Sequence, residues 1–235
     1  MGAIAEVYQQ TRKRPDLFWN TYVCRPLAAV VVVAVRNTRV TPNQITLSAL
    51  WVASAAAAMF VAVPGYWGLL LGAIVFELSY VLDCADGMLA RLRGVQSQGG
   101  HLLDFLMDEI KAFILLAAVA VRLWREHGQV VYLLLGLGGL VVLSTGIAIT
   151  TFQRRPEIAG PPPAAGAAAR KKQSLLRRAV GLAEGVAKFL IHYPSYILYA
   201  AIAGHIELYF FPYIAVNAAY ALKSVAWVSL KFGRS

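Results

Sequence analysis

Long apolar runs separated by short polar punctuation decide what this chain can become. Stretches of roughly 18 or more apolar residues recur along its 235 residues, each long enough for a helix to cross a hydrocarbon core of about 30 Å. Hydrophobic residues make up 59% of the sequence and charged ones only 14%, where a soluble domain carries about 25%. The sequence therefore reads as an all-α polytopic membrane protein. Its net charge of +10 suits cytoplasmic loops rich in Lys and Arg, and in so apolar a chain it does not indicate nucleic acid. Cys24 and Cys84 lie far apart without metal-type spacing, so both are expected as free thiols packed like small hydrophobes. The start, MGAIAEVYQQTRKRPD, has no apolar stretch before its charges, so no cleavable leader is expected.

Punctuation sets the element boundaries. Residues 1–40 form a first segment: Arg12, Lys13 and Arg14, the aromatic group Phe18, Trp19 and Tyr22, then LAAVVVVAV between Arg25 and Arg36. That run reaches only about 15 Å as a helix, so it is expected along the membrane surface as an interfacial amphipathic helix, a short span being the competing reading. Residues 41–235 are expected to form a six-helix transmembrane domain. Thr41 is a candidate N-cap and Pro42 a first helical residue. Spans are expected near 43–63, 66–94, 99–124, 129–152, 189–203 and 208–230, with Pro194 and Pro212 starting or kinking the last two. Between the fourth and fifth lies a linker, 153–188, with a Pro/Ala/Gly run and a basic surface helix around Arg177, Arg178 and Lys188. Counting loop Lys and Arg puts the basic N-terminal residues, Arg91, Arg93, Arg154 and Arg155 on one side and Arg122 and Arg125 on the other. Both termini are thus expected in the cytoplasm.

One stretch breaks the apolar pattern. Residues 83–108 read DCADGMLARLRGVQSQGGHLLDFLMD and hold every aspartate except Asp16. An ionisable side chain in a spanning helix costs roughly 2.5–3.5 kcal/mol on insertion scales, so four together need a reason. At about 100° per residue, Asp83, Asp86, Gly87 and Ala90 share one helix face. On the next helix Gly100, Asp104, Asp108 and Lys111 share another, with Glu109 opposite. Two antiparallel neighbours would bring these faces together. Four converging carboxylates repel one another unless positive charge sits between them. Hard divalent cations such as Mg²⁺ or Mn²⁺ meet that need and bridge carboxylates to phosphate oxygens. A pair of such ions would hold a diphosphate, and the small residues would let it approach the backbone.

The order DxxDGxxAR, eight residues, then GxxxDxxxD is filled by Asp83, Asp86, Gly87, Ala90, Arg91, Gly100, Asp104 and Asp108. It resembles the signature of the CDP-alcohol phosphotransferase family at every position. The resemblance extends to the TPN triplet at Thr41-Pro42-Asn43, the preceding surface helix and the six-span layout. It implies metal-dependent transfer of a phosphoalcohol group from a CDP-alcohol, usually CDP-diacylglycerol, to an acceptor hydroxyl, with release of CMP. By that likeness Asp83, Asp86 and Asp104 hold the metals, and Asp108 completes the metal site and serves as base. Gly87, Ala90, Arg91, Gly100 and Asn43 would line the CDP site. A homodimer in the cell (inner) membrane is likewise implied.

Around this centre, Arg154 and Arg155 are candidate contacts for a polar alcohol acceptor, phosphorylated or not. Ordinary positive-inside anchoring is their bland reading. Lys111 would line the acceptor pocket or pair with Glu77, and the basic residues of 170–188 would attract anionic lipid. His101, His127, His192 and His205 share no helix face and are expected to be structural. Two other classes remain open from the residues alone: an intramembrane prenyltransferase, and a divalent-cation transporter with its carboxylates as transit site.

Overall fold

In the computed structural model, residues 2–12, 16, 18–159, 185 and 193–233 are described, and all regular structure among them is helical. The helices are α1 (Ala3–Thr11), α2 (Arg25–Val35, entered through a π-helical turn at Asn20–Cys24), α3 (Pro42–Ala62) and α4 (Gly65–Arg93). They continue with α5 (Gln98–His127), α6 (Val131–Gln153), α7 (Pro156–Ala159), α8 (Tyr193–Ile202) and α9 (Glu207–Phe232). Among them α3, α4 and α6 are long and apolar enough to cross a membrane. At 30 residues α5 is longer than any of these, but charges at both ends make it less apolar. Most of the expected linker, Arg177, Arg178 and Lys188, the start of the expected fifth span, His192, Lys13 and Arg14 lie outside the described residues.

Local chemistry explains the boundaries. Thr41 caps α3 by accepting from the Gln44 backbone, while the Gln44 side chain accepts from the Thr41 backbone N–H, a reciprocal capping box. The other end of α4 closes on Gly94 at φ 67°, left-handed backbone that glycine adopts without penalty. Ser97 then caps α5 through the Gly100 N–H at 3.0 Å. Pro212 lies inside α9 and has no N–H for the Leu208 carbonyl; the Tyr196 hydroxyl donates to that carbonyl instead. The helix α1 has no counterpart among the sequence expectations. Its inward face is Val7, Tyr8 and Thr11, a two-turn pattern too short to stand out in nine residues.

Packing centres on α3, which lies against both α4 and α5. Close approach is built in at two glycines. A Cβ on Gly68 would sit 2.1 Å from the Val63 carbonyl oxygen, and one on Gly136 would sit 2.3 Å from Ala120 Cβ. One core joins Phe60, Phe76, Leu115, Leu116, Leu123, Ile197, Tyr209 and Phe210. At the same end, Arg122 is 3% exposed and donates to the carbonyls of Phe60 (3.2 Å), Val63 (3.1 Å) and Gly65 (2.7 Å). Its charge is balanced by Glu126 at 2.6 Å. Arg125 likewise donates to the Val61 carbonyl. These arginines therefore close the end of α3 rather than occupy a loop.

Arg122→Met should lower the stability of the detergent-solubilised protein by about 2–4 kcal/mol, because it orphans buried carbonyls and Glu126 together. The check is the denaturation midpoint. An unchanged midpoint would mean that the α3–α4 turn closes without the arginine.

Candidate functional site

The site rests on α4, a helix with two working faces. Its back carries Val81, Cys84, Ala85, Met88 and Leu89, which pack with Val7, Cys24, Ala28, Ala29 and Val32 from the N-terminal segment and Ile45 from α3. Both cysteines are free and buried there, as expected. The back face centres about 160° around the helix from Asp83. The N-terminal segment thus covers one side of α4 and leaves Asp83, Asp86, Gly87 and Ala90 facing α3 and α5.

Three of the four expected carboxylates converge. Asp83, Asp104 and Asp108 each offer an oxygen, and these oxygens lie within 4.8 Å of one another. This all-oxygen donor set fits a hard divalent ion such as Mg²⁺ or Mn²⁺. Asp86 stands outside that trio: its carboxylate is 5% exposed and accepts from the Thr46 hydroxyl of α3. Lys111 is 2% exposed, and its ammonium donates to Asp83 and, at 2.7 Å, to Asp108. It therefore pairs with Asp83 and Asp108 rather than with Glu77, the partner offered from the sequence. Glu77 accepts instead from Trp19 Nε1 at 3.1 Å. Asp83, on the face of α4 turned toward α5, is the partner that packing brings to Lys111.

A cavity of about 740 Å³ opens beside the carboxylates. It is walled by Pro42, Asn43 and Thr46 of α3, by Asp86, Gly87, Ala90 and Arg91 of α4, and by Gly100, His101 and Asp104 of α5. Asp104 belongs both to the cavity wall and to the carboxylate trio. All five residues expected around a CDP group, Asn43, Gly87, Ala90, Arg91 and Gly100, border this one space. A Cβ on Gly100 would stand 3.1 Å from Ser97 Oγ and 3.5 Å from Asn43 Oδ1, and one on Gly87 would stand 3.3 Å from an Arg91 nitrogen. Side chains there would intrude on the groups that shape the wall.

Sequence reasoning missed Thr46, Ser97 and His101 as wall residues. Thr46 follows Asn43 by three positions on α3 and so shares its face, a signal that was available. His101 was expected to be structural, yet it is exposed at the cavity. Arg93 counted only as a loop charge. Its guanidinium in fact gathers the carbonyls of Val35, Arg36, Thr38 and Val40 and fixes the turn between α2 and α3. Arg154 and Arg155 are exposed at the end of α6, with the Arg154 guanidinium 5.7 Å from the Phe105 ring centre. Neither lines the cavity.

A family model described as CDP-alcohol phosphatidyltransferase matches residues 39–206. A curated protein of Archaeoglobus fulgidus, "Bifunctional IPC transferase and DIPP synthase", is 31% identical over 105 residues, 45% of this chain. The matched part is only 20% of that relative's length. The family match begins after α1 and α2, yet those helices are tied to the site. Arg91 Nε donates to the Thr11 carbonyl at the end of α1 at 2.8 Å.

That bond is charge-assisted and worth about 1.5–3 kcal/mol. Arg91→Ala should therefore speed amide hydrogen exchange across α1 by about tenfold or more. Unchanged protection would mean that Val7 and Tyr8 hold the helix without the arginine.

Proposed function

The chain belongs to the CDP-alcohol phosphatidyltransferase family, and from that premise we propose that it transfers a phosphoalcohol group from a CDP-alcohol, such as CDP-diacylglycerol, to an acceptor hydroxyl, releasing CMP in phospholipid biosynthesis. The observation that carries this reading is the meeting of the carboxylate trio with the cavity at Asp104. A cytidine diphosphate group would lie along Asn43, Gly87, Ala90, Arg91 and Gly100, with its phosphates toward Asp104. Asp83, Asp86, Asp104 and Asp108 would hold Mg²⁺ or Mn²⁺, as one or two ions. Metal bound there would neutralise the diphosphate and stabilise the charge that develops at phosphorus.

The bond changes follow from that pose. The acceptor oxygen attacks the phosphorus that carries the alcohol, and the anhydride P–O bond to the cytidylate breaks, so CMP leaves with the bonding pair. Asp108 receives the acceptor proton; its side chain is 43% exposed, against 12% for Asp83, which supports access from outside the cluster. Arg154 and Arg155 are the proposed contacts for a phosphorylated acceptor. Lys111, paired with Asp83 and Asp108, is proposed beside them at the acceptor end.

Six spans follow if α3, α4, α5, α6, α8 with the residues before it, and α9 all cross. The segment 1–40 would then lie on the surface and 41–235 form the catalytic domain, with 153–188 as linker. The site and both termini would face the cytoplasm of a cell (inner) membrane protein. A homodimer is proposed from the family alone.

Asp108→Asn should abolish CMP release from CDP-diacylglycerol offered a panel of alcohols and phosphorylated alcohols, while the protein keeps its wild-type size-exclusion profile. Excess EDTA should stop the wild type, and Mn²⁺ or Mg²⁺ should restore it. Full activity in Asp108→Asn would remove the base assignment. Mn²⁺ uptake into proteoliposomes without CMP formation would replace the enzyme reading with a transporter.

A further inference from the structure

Lys111 is the one basic side chain drawn into the carboxylate cluster among the described residues. It is 2% exposed, and its closest neighbours along α5 include buried Ala112, Leu115 and Leu116, so water does little to hydrate its charge. An ammonium in that position is tolerable only because carboxylates from two helices flank it. The reverse also holds: Asp83 on α4 and Asp108 on α5 are brought together by a charge belonging to the protein. We infer that the Lys111 ammonium is a built-in counter-cation of this cluster, holding Asp83 and Asp108 together in the metal-free protein and competing with divalent metal for them.

This inference rests on the reading of the cluster as a metal site and goes beyond it. A metal ligated by Asp83 and Asp108 would sit within a few ångströms of the ammonium. Two positive charges so close, away from solvent, weaken the binding of the second. A carboxylate has two oxygens, so the lysine need not leave when metal enters, but it always subtracts from the attraction. The site then stays assembled without metal and binds a bare ion loosely. Three unneutralised carboxylates would instead splay apart when empty and grip metal tightly when full.

The test uses the full chain in detergent, with free Mn²⁺ followed by electron paramagnetic resonance and unfolding followed in EDTA. Lys111→Met removes the charge and keeps most of the apolar stem. It should bind Mn²⁺ about tenfold more tightly than wild type, unfold at lower temperature in EDTA, and regain the difference when Mn²⁺ is added. Lys111→Arg, which keeps the charge, should bind Mn²⁺ within about threefold of wild type. If Lys111→Met does not fold even with Mn²⁺, Lys111→Gln makes the same comparison, retaining a donor for the carboxylates without the charge. Equal or weaker Mn²⁺ affinity in the neutral variant overturns the inference, as does wild-type stability in EDTA. Asp104→Asn separates the two layers of the argument. If it binds Mn²⁺ as wild type does, the metal reading fails, and the EDTA comparison alone then decides whether Lys111 holds the carboxylates together.

Discussion

Repulsion among like charges is the constraint that the rest of this structure answers. Asp83, Asp104 and Asp108 meet within 4.8 Å in a chain with only twelve acidic residues. Left alone, such a cluster would push α4 and α5 apart. Several features oppose this. The helices are joined by only four residues, 94–97, between two well-capped ends. The α3 helix packs against both, and its Thr46 hydroxyl donates to Asp86. The N-terminal segment presses on α4 from behind. Lys111 is the one basic side chain paired into the cluster among the described residues. Core packing, caps and the ion pair all serve the same end, which is to keep negative charge concentrated beside a cavity.

Much of this was legible in the sequence because it follows from period and punctuation. The helix faces of 83–90 and 100–111, the N-cap at Thr41 and the glycine stop at Gly94 are local properties, and local rules place them. The three clearest spans were legible for the same reason, since length and apolarity alone define them. Partners across helices were not legible. Helical geometry put Lys111 on the acidic face but offered Glu77 as its partner, while packing gave it Asp83 and Asp108. Geometry also put Asp86 with Asp83, whereas the bond from Thr46 turns Asp86 toward the cavity wall. Distances between elements depend on where helices cross, and no periodicity encodes that.

Arginine has a second role here that charge counting conceals. Arg93, Arg122 and Arg125 were read as loop charges that report topology. Each instead donates to backbone carbonyls left open where a neighbouring helix ends or turns. A guanidinium has five N–H donors in a fixed fork, so one side chain can satisfy several carbonyls where water is scarce. Arg91 does the same for the last turn of α1 while its guanidinium lies over Gly87 at the cavity. The arginine that ends the DGxxAR motif therefore joins a segment outside the family match to the wall inside it.

The short connection between α4 and α5 has a mechanical consequence. With four residues between capped ends, the two helices behave as a stiff calliper whose jaws carry the carboxylates. A calliper of this kind cannot widen at its closed end without unwinding Gly94 or uncapping Ser97. The spacing of the carboxylates near that end is thereby set by a four-residue loop and its two caps.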